Sequence, residues 1–350
     1  MKIAVYTIAL NEEKHVERWY ESSKEADYHF ILDTGSTDKT VSIAKKLGIH
    51  VLKASIDPWR FDVARNTALS MLPKDIDFCI TMDMDEILVA GWREKLNALE
   101  GSNVTRPRHT FTFSFNPDGT PAYQFGGNRI HKRHGYVWKH PVHEILVPYR
   151  IDEFQSWVDI EMQHLPDKEK SRGQYLPLLE AATKEDPNDA RMAFYYGREL
   201  FYYNQTRQAI DQLDHFLRLP TATWAGDRSD ALIIIAKCVA DITEARQWTW
   251  MAIQEAPDRR EGYVYLARLC YYAENFEEAL MYSEQALAIT ERPLQYMCED
   301  WAWDWQPWDV AAISAWMMGD KEKALRYGAK AYEMAPDVAR LAENMKYFVG

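Results

Sequence analysis

Phe78-Cys79-Ile80-Thr81-Met82-Asp83-Met84-Asp85-Glu86 is a short, mostly apolar run that ends abruptly in carboxylates. A run of this length reads as a buried strand, so the acidic residues fall at its carboxyl end. Three similar runs precede it: Lys2–Ala9, Tyr28–Leu32 and His50–Ala54. Between them lie helical patterns. Asn11 to Lys24 is amphipathic, a turn and cap at Thr34-Gly35-Ser36-Thr37-Asp38 leads into a helix through Ala44 and Leu47, and Asp62–Leu72 is stopped by Pro73. Strand–helix alternation predicts a parallel α/β sheet covered on both faces. Ligands of such sheets bind at the carboxyl ends of the strands. Asn11, Asp33 and the Asp83/Asp85 pair all fall there, which predicts one shared crevice.

Beyond Asn103 the pattern changes. Thr110–Phe115 alternates polar and aromatic residues, and Asn116-Pro117-Asp118-Gly119 makes a turn. Strand-like pieces follow at Tyr123–Phe125, Tyr136–Trp138, Ile145–Val147 and Val158–Met162, a mixed-sheet extension of the first domain. Pro166-Asp167-Lys168-Glu169-Lys170 reads as a linker, giving domains over 1–165 and 171–350. The second is helical and periodic. Ala209, Ala245, Ala279 and Ala324 lead A-x(6)-A patterns or a near variant, with partners Phe216, Ala252, Ala286 and Ala331, at spacings of 36, 34 and 45 residues. A period near 34 with small residues is similar to the tetratricopeptide repeat. The long last spacing marks an insertion carrying Trp301, Trp303, Trp305 and Trp308 among acidic residues. Those rings either pack between repeats, make a stacking platform for a ligand, or meet a second copy of the chain.

Composition narrows the class. The 350 residues are 47% hydrophobic and 27% charged, a globular profile with enough aromatic residues to offset ordering entropy. The net charge of −12 shows no basic stripe of the kind that binds duplex nucleic acid. Cys79, Cys238, Cys270 and Cys298 have no metal-like spacing and read as small buried hydrophobes in a reducing compartment. No apolar run reaches the length of a membrane span, and the first strand does not resemble a leader peptide. A cytoplasmic location is expected.

Paired carboxylates at i, i+2 after a strand suit a hard divalent cation that also takes phosphate oxygens. Several motifs surround the pair. Thr7-Ile8-Ala9-Leu10-Asn11-Glu12, Leu32-Asp33-Thr34-Gly35-Ser36-Thr37-Asp38-Lys39-Thr40, Phe61-Asp62-Val63-Ala64-Arg65-Asn66 and Asp83-Met84-Asp85-Glu86 resemble, in order, motifs of family 2 glycosyltransferases. Val142-His143-Glu144 is similar to a motif of a subgroup that includes lipopolysaccharide-core glucosyltransferases. The layout with repeats behind, including Tyr196-Gly197-Arg198-Glu199-Leu200, resembles that of sublancin-type S-glycosyltransferases. The resemblance covers about 1–165 and implies a GT-A domain, Rossmann-like and using a nucleoside diphosphate sugar, followed by all-α tetratricopeptide-like repeats. It implies an inverting, metal-dependent transfer of a hexose or pentose from a nucleotide sugar, UDP-linked for preference, with Mn²⁺ or Mg²⁺.

The resemblance also assigns roles. Thr7, Asn11, Glu12, Asp33, Arg65, Asp83 and Arg129 are expected to bind the nucleotide sugar, with Arg65 able to pair bidentately with phosphate. Asp83 and Asp85 are the expected metal ligands. His143 and His164 are each either a further ligand or a structural histidine. Glu144 is the expected general base, with Glu86 and then Asp159 behind it. Asp38 reads as a helix cap. Arg129 and Arg133 either clamp phosphates or stand as solvated charges. The acceptor is open between peptide, glycan and small molecule, and the repeat domain shapes its access or makes a homodimer. Two rivals stand beside this reading: a transferase acting on a modified nucleobase of phage DNA, and an inactive repeat scaffold that binds a protein partner.

Overall fold

The computed structural model of the chain describes residues 1–116, 118–166, 173–293 and 298–349. Of the expected linker only Pro166 is among them, and Pro117 of the expected turn is outside them. The chain divides into two compact units, Met1–Leu178 and Leu179–Gly350.

The first unit is built as β1 (Ile3–Ala9), α1 (Val16–Ser23), β2 (Tyr28–Asp33), α2 (Thr40–Lys46), β3 (His50–Lys53), α3 (Phe61–Met71) and β4 (Phe78–Thr81), then β5 (Glu86–Leu88) and α4 (Trp92–Asn97). β6 (Arg106–Phe115), β7 (Pro121–Gly127), β8 (Ile130–Lys132), β9 (Tyr136–Lys139), β10 (Ile145–Pro148) and β11 (Gln155–His164) complete it. Its main sheet has the order β3-β2-β1-β4-β8. The first four strands are parallel, and β8 adds antiparallel to β4, so the sheet is mixed at that edge. Both faces are covered. Ile3, Val5, Ile31, Phe78 and Ile80 pack with Val16 and Trp19 of α1 and Ala44 of α2. The alternate residues Ala4, Tyr6, Phe30, Leu32 and Cys79 pack with Ala64, Ala68 and Leu69 of α3 and with Trp138 and Leu146. This is the period-2 signature of a sheet buried on both sides. A second sheet runs β5-β11-β6-β7, and β9 pairs with β10.

The division falls within α5 (Tyr175–Glu185), and the second unit is helical, with α6 (Ala190–Tyr202), α7 (Thr206–Arg218), α8 (Ala225–Cys238), α9 (Ile242–Glu255), α10 (Arg260–Tyr272) and α11 (Phe276–Ala288). After a 3₁₀ turn at Asp300–Ala302 come α12 (Gln306–Met317), α13 (Lys321–Met334) and α14 (Ala339–Val349). Among the described residues four helix pairs result, α6/α7, α8/α9, α10/α11 and α12/α13, in the tetratricopeptide-like manner. The leading alanines 209, 245, 279 and 324 all lie on the second helix of a pair, and all are buried. Close packing also explains Gly197: a Cβ there would stand 2.6 Å from the Leu213 side chain.

The tryptophan-rich insertion is half-buried and packs inside this unit. Trp303 lies against Val264, Ala286 and Ala302, with the Arg260 guanidinium 4.0 Å over its ring. Trp308 joins the cluster of Ala311, Ala315 and Tyr327. The four cysteines are free, three of them buried. Among the described residues no helix is long and apolar enough to cross a membrane.

Candidate functional site

Three of the strand ends in the main sheet carry the residues singled out by the sequence. At the end of β1, Asn11 has φ +57°, a left-handed conformation that asparagine tolerates better than most residues. Its side-chain oxygen accepts the Thr37 amide at 2.8 Å, and its own amide donates to Ser36 Oγ at 2.8 Å. Asn11 therefore braces the loop after β2. The Glu12 amide donates to Thr40 Oγ1 at 2.7 Å. Thr7 is fully buried, its hydroxyl donating to the Ile8 carbonyl at 3.1 Å. Asp33, at the end of β2, is also fully buried and accepts the Ser36 amide at 3.3 Å, with Lys53 Nζ 4.0 Å away. Asp38 accepts from the Thr40 amide at 2.9 Å and the Glu13 amide at 3.0 Å, so it ties the turn before α2 to the loop after β1, while the N-cap position of α2 itself is Lys39.

The end of β4 is the electrostatic centre. Arg65, one turn into α3 and buried, reaches across to it. Its Nη2 donates to Asp83 Oδ1 at 2.7 Å, its Nη1 to Thr81 Oγ1 at 3.4 Å, and its Nε to Glu144. The indole of Trp138 lies 5.1 Å from the guanidinium. Two carboxylates beside it hold Arg65 firmly in its charged form against the cost of burial. Neighbouring Asn66 completes this segment's work: its side chain donates to the Trp138 carbonyl at 2.8 Å and accepts the Trp138 amide at 2.9 Å. The Arg65-Asn66 pair thus turns one residue to the crevice and the next to anchoring β9. Trp138 in turn donates to Tyr6 Oη at 2.9 Å, and Tyr6 Oη lies 3.1 Å from His131 Nε2. This buried layer beneath Arg65 was not visible in the sequence, where only the aromatic runs hinted at it.

Arg129 lies on the other side of Asp83. Its Nη2 is 3.5 Å from Asp83 Oδ2 and 3.3 Å from Glu86 Oε1. Glu86 is buried, and burial pushes its carboxyl up to about 7 despite Arg129. Its Oε2 accepts the Asp83 amide at 2.8 Å, so Glu86 holds the turn of the acidic motif from within. Arg133 is separate: it donates to the carbonyls of Pro73, Ser70 and Leu72 and closes the end of α3. Asp159 is 94% exposed at its side chain and pairs with Lys95 at 2.8 Å on the surface.

The two histidines part company. His164, the last residue of β11, faces Glu86 in the sheet register and places Nε2 3.8 Å from Asp85 Oδ2. Burial alone would lower its pKa, but the Asp85 carboxylate outweighs this and raises it. His143 packs edge-on against Tyr175, with ring centroids 5.5 Å apart. The turn that carries it has His140 at φ +81° and His143 at φ +50°. Left-handed backbone at non-glycine residues costs about 1–3 kcal/mol each and gathers where a fold must aim a side chain. The residue aimed here is Glu144, which meets Arg65.

The crevice thus joins Asp83, Asp85, Glu86, Glu144 and His164 with two arginines. Among the described residues, no three metal-binding side chains converge into a cage. An arrangement of a few carboxylates and fixed guanidinium groups suits an anionic ligand that brings oxygen ligands of its own.

Known proteins resemble the two units separately. Residues 4–99 match the family described as Glycosyl transferase family 2. An uncharacterised glycosyltransferase of Rickettsia bellii (strain RML369-C) is 36% identical over 88 residues, which is 25% of this chain and 29% of that protein. The match therefore spans under a third of that relative's length. Among solved structures, MamA is similar over 47% of this chain and 89% of its own, at 17% identity and a TM-score of 0.38. A thermophilic tetratricopeptide-repeat protein of Thermus thermophilus is similar over 51% of this chain and 91% of its own, at 18% identity and a TM-score of 0.34.

Proposed function

From the match of residues 4–99 to the family described as Glycosyl transferase family 2, we propose that the crevice transfers a sugar from a nucleoside diphosphate sugar, UDP-linked for preference, with inversion. The observation that carries the reading is the arginine–carboxylate web at the end of β4: Arg65 and Arg129 stand on either side of Asp83.

The donor set fits a divalent cation. Asp83 and Asp85 offer carboxylate oxygens, and His164 offers a nitrogen beside Asp85. Mg²⁺ and Mn²⁺ are content with one or two carboxylates when phosphates and waters complete the shell. When bound, such a cation neutralises the charge that develops on the departing diphosphate.

The remaining work falls to the chain's own groups. Arg65 and Arg129 pair with diphosphate oxygens and hold the leaving group in line. The acceptor hydroxyl forms its bond to the anomeric carbon while the bond to the diphosphate oxygen breaks. Its proton passes to Glu144, whose carboxylate lies on the Arg65 side of the crevice, and the nucleoside diphosphate leaves. Glu86 is buried and Asp159 is out on the surface, which supports Glu144 as the base. Asn11, Asp33 and the Ser36–Thr37 loop form the nucleoside end.

Calorimetry and transfer rates on two variants test the assignment. Glu144→Gln keeps UDP and Mn²⁺ affinity and loses about 10²–10⁴-fold in transfer, the usual worth of a positioned base. Asp85→Asn weakens UDP binding only when Mn²⁺ is present. EDTA abolishes turnover, and either cation restores it. Full turnover in EDTA, or Glu144→Gln transferring at the wild-type rate to a hydroxyl acceptor, sinks the corresponding role.

A further inference from the structure

A bank of aromatic rings begins at the acidic motif and runs outward along the second sheet. His164, which faces Asp85, stacks on Phe113 with ring centroids 4.9 Å apart and an interplanar angle of 27°. Phe113 meets Tyr123 at 5.9 Å and Phe125 at 6.4 Å. Phe125 meets Phe111 at 5.0 Å, and Arg129 lies 6.0 Å over the Phe111 ring. The bank is continuous from the crevice to β7, the edge strand of the sheet order β5-β11-β6-β7.

Its exposure is uneven. Phe111 is buried, Tyr123 and Phe125 are half-buried, and Phe113 is 42% exposed. An isolated exposed phenylalanine needs no explanation. One that caps a stack ending on a candidate metal ligand is different, because its face continues the floor of the crevice.

We infer that Phe113, with Tyr123 and Phe125 behind it, is the acceptor subsite, and that it takes a sugar ring, so that the acceptor is a glycan. The assignment rests on the transferase reading above. Three observations favour a sugar. The open face amounts to little more than one ring, far below the several hundred Å² of contiguous apolar surface that a protein partner covers. Charged groups lie beside it, namely Asp85 next to His164 and Arg129 over Phe111, and a lipid chain laid there would strip water from them at a cost. A sugar ring satisfies both features. Its C–H face lies on the electron-rich face of the aromatic ring, while its rim hydroxyls meet the carboxylate and the guanidinium. The continuity with His164 and Asp85 sets such a ring next to where the donor sugar would sit.

The test is saturation-transfer difference NMR on the full chain with UDP and Mn²⁺ present. The probes are the methyl glycosides of glucose, galactose, mannose and N-acetylglucosamine, beside the peptide acetyl-Gly-Ser-Cys-Gly-amide. At least one glycoside is expected to bind wild type. Phe113→Ala should weaken it by roughly 5- to 10-fold, the size of an aromatic contact, and Phe113→Trp should restore it. Calorimetry of UDP with Mn²⁺ on the same samples should be unchanged by both substitutions. Glycoside binding that ignores Phe113→Ala, absence of any glycoside signal while UDP binds, or peptide binding alone that vanishes in Phe113→Ala each overturns the glycan assignment. Absence of UDP binding in wild type overturns the donor reading instead. A Phe113-dependent glycoside signal in that case still supports the sugar subsite.

Discussion

Arg65 makes more of the site than its place in the sequence suggests. The acidic motif is legible because its residues adjoin, and Arg65 and Glu144 each stand out in sequence as single candidates. Their mutual contact is not legible, since Arg65 meets residues 18 and 79 positions away, Asp83 and Glu144. The burial of Asp33 under the Ser36 turn was likewise invisible, because it depends on the backbone path after β2. Removing the guanidinium leaves the largely buried Glu144 carboxylate without the Arg65 charge and leaves Asp83 with Arg129 alone, which costs about 3 kcal/mol, the low end for breaking a buried pair. Arg65→Ala is therefore expected to lower the melting temperature and to weaken UDP binding at least about tenfold. Arg65→Lys keeps the charge but loses the fork and the stacking face, so it recovers stability better than affinity. Scanning calorimetry and UDP titration separate the two effects. Wild-type UDP affinity in Arg65→Ala would remove the phosphate-binding role.

Elements of regular period were read well, and short or capped ones poorly. The four parallel strands and the helices between them follow from their apolar runs. β5 has three residues and β8 has three, too few for a periodic signal, and β8 runs antiparallel because it returns from the second sheet. In the repeats, the leading alanines are visible in sequence, and three of the four have a capping side chain four residues earlier. Asp241, Asn275 and Asp320 cap α9, α11 and α13 by accepting the amides of Glu244, Glu278 and Lys323. The corresponding residue of α7 is Gln205, which makes no such bond. Gln205→Asp is expected to stabilise the helical unit by about 0.5–1 kcal/mol, and Asp320→Ala to destabilise it by about 1 kcal/mol, read from urea midpoints. No gain from Gln205→Asp would mean that the turn before α7 holds its backbone differently from the others. The insertion belongs to this scale as well. Trp303→Ala should cost about 3 kcal/mol of stability through lost packing and leave UDP affinity untouched. A loss of UDP affinity without a change in melting would contradict the packing role.

For the whole molecule, the sequence break at Pro166 and the division between the compact units after Leu178 lie about a dozen residues apart. The difference is carried by Tyr175, whose ring meets Phe61 at 6.4 Å and His143 at 5.5 Å. Phe61 opens the helix that carries Arg65, and His143 precedes Glu144. A fragment ending at 165 lacks this ring, and a fragment ending at 178 keeps it. Residues 1–178 are expected to bind UDP with Mn²⁺ close to the affinity of the full chain. Residues 1–165 should melt lower and bind more weakly. Equal behaviour of the two fragments in a thermal-shift titration would show that Tyr175 does nothing for the crevice.

The clasp between Arg65 and Glu144 carries a kinetic consequence. A carboxylate oxygen already taken by a guanidinium N–H is not open to an acceptor hydroxyl, and the diphosphate of the donor competes for that same guanidinium. Donor arrival is then the step that arms the base, and an acceptor arriving alone meets an idle one. Initial-rate kinetics should accordingly follow a compulsory order with the nucleotide sugar first and the nucleoside diphosphate last to leave. In that order UDP inhibits competitively against the donor and non-competitively against the acceptor. A random-order pattern would mean that the clasp opens without the donor.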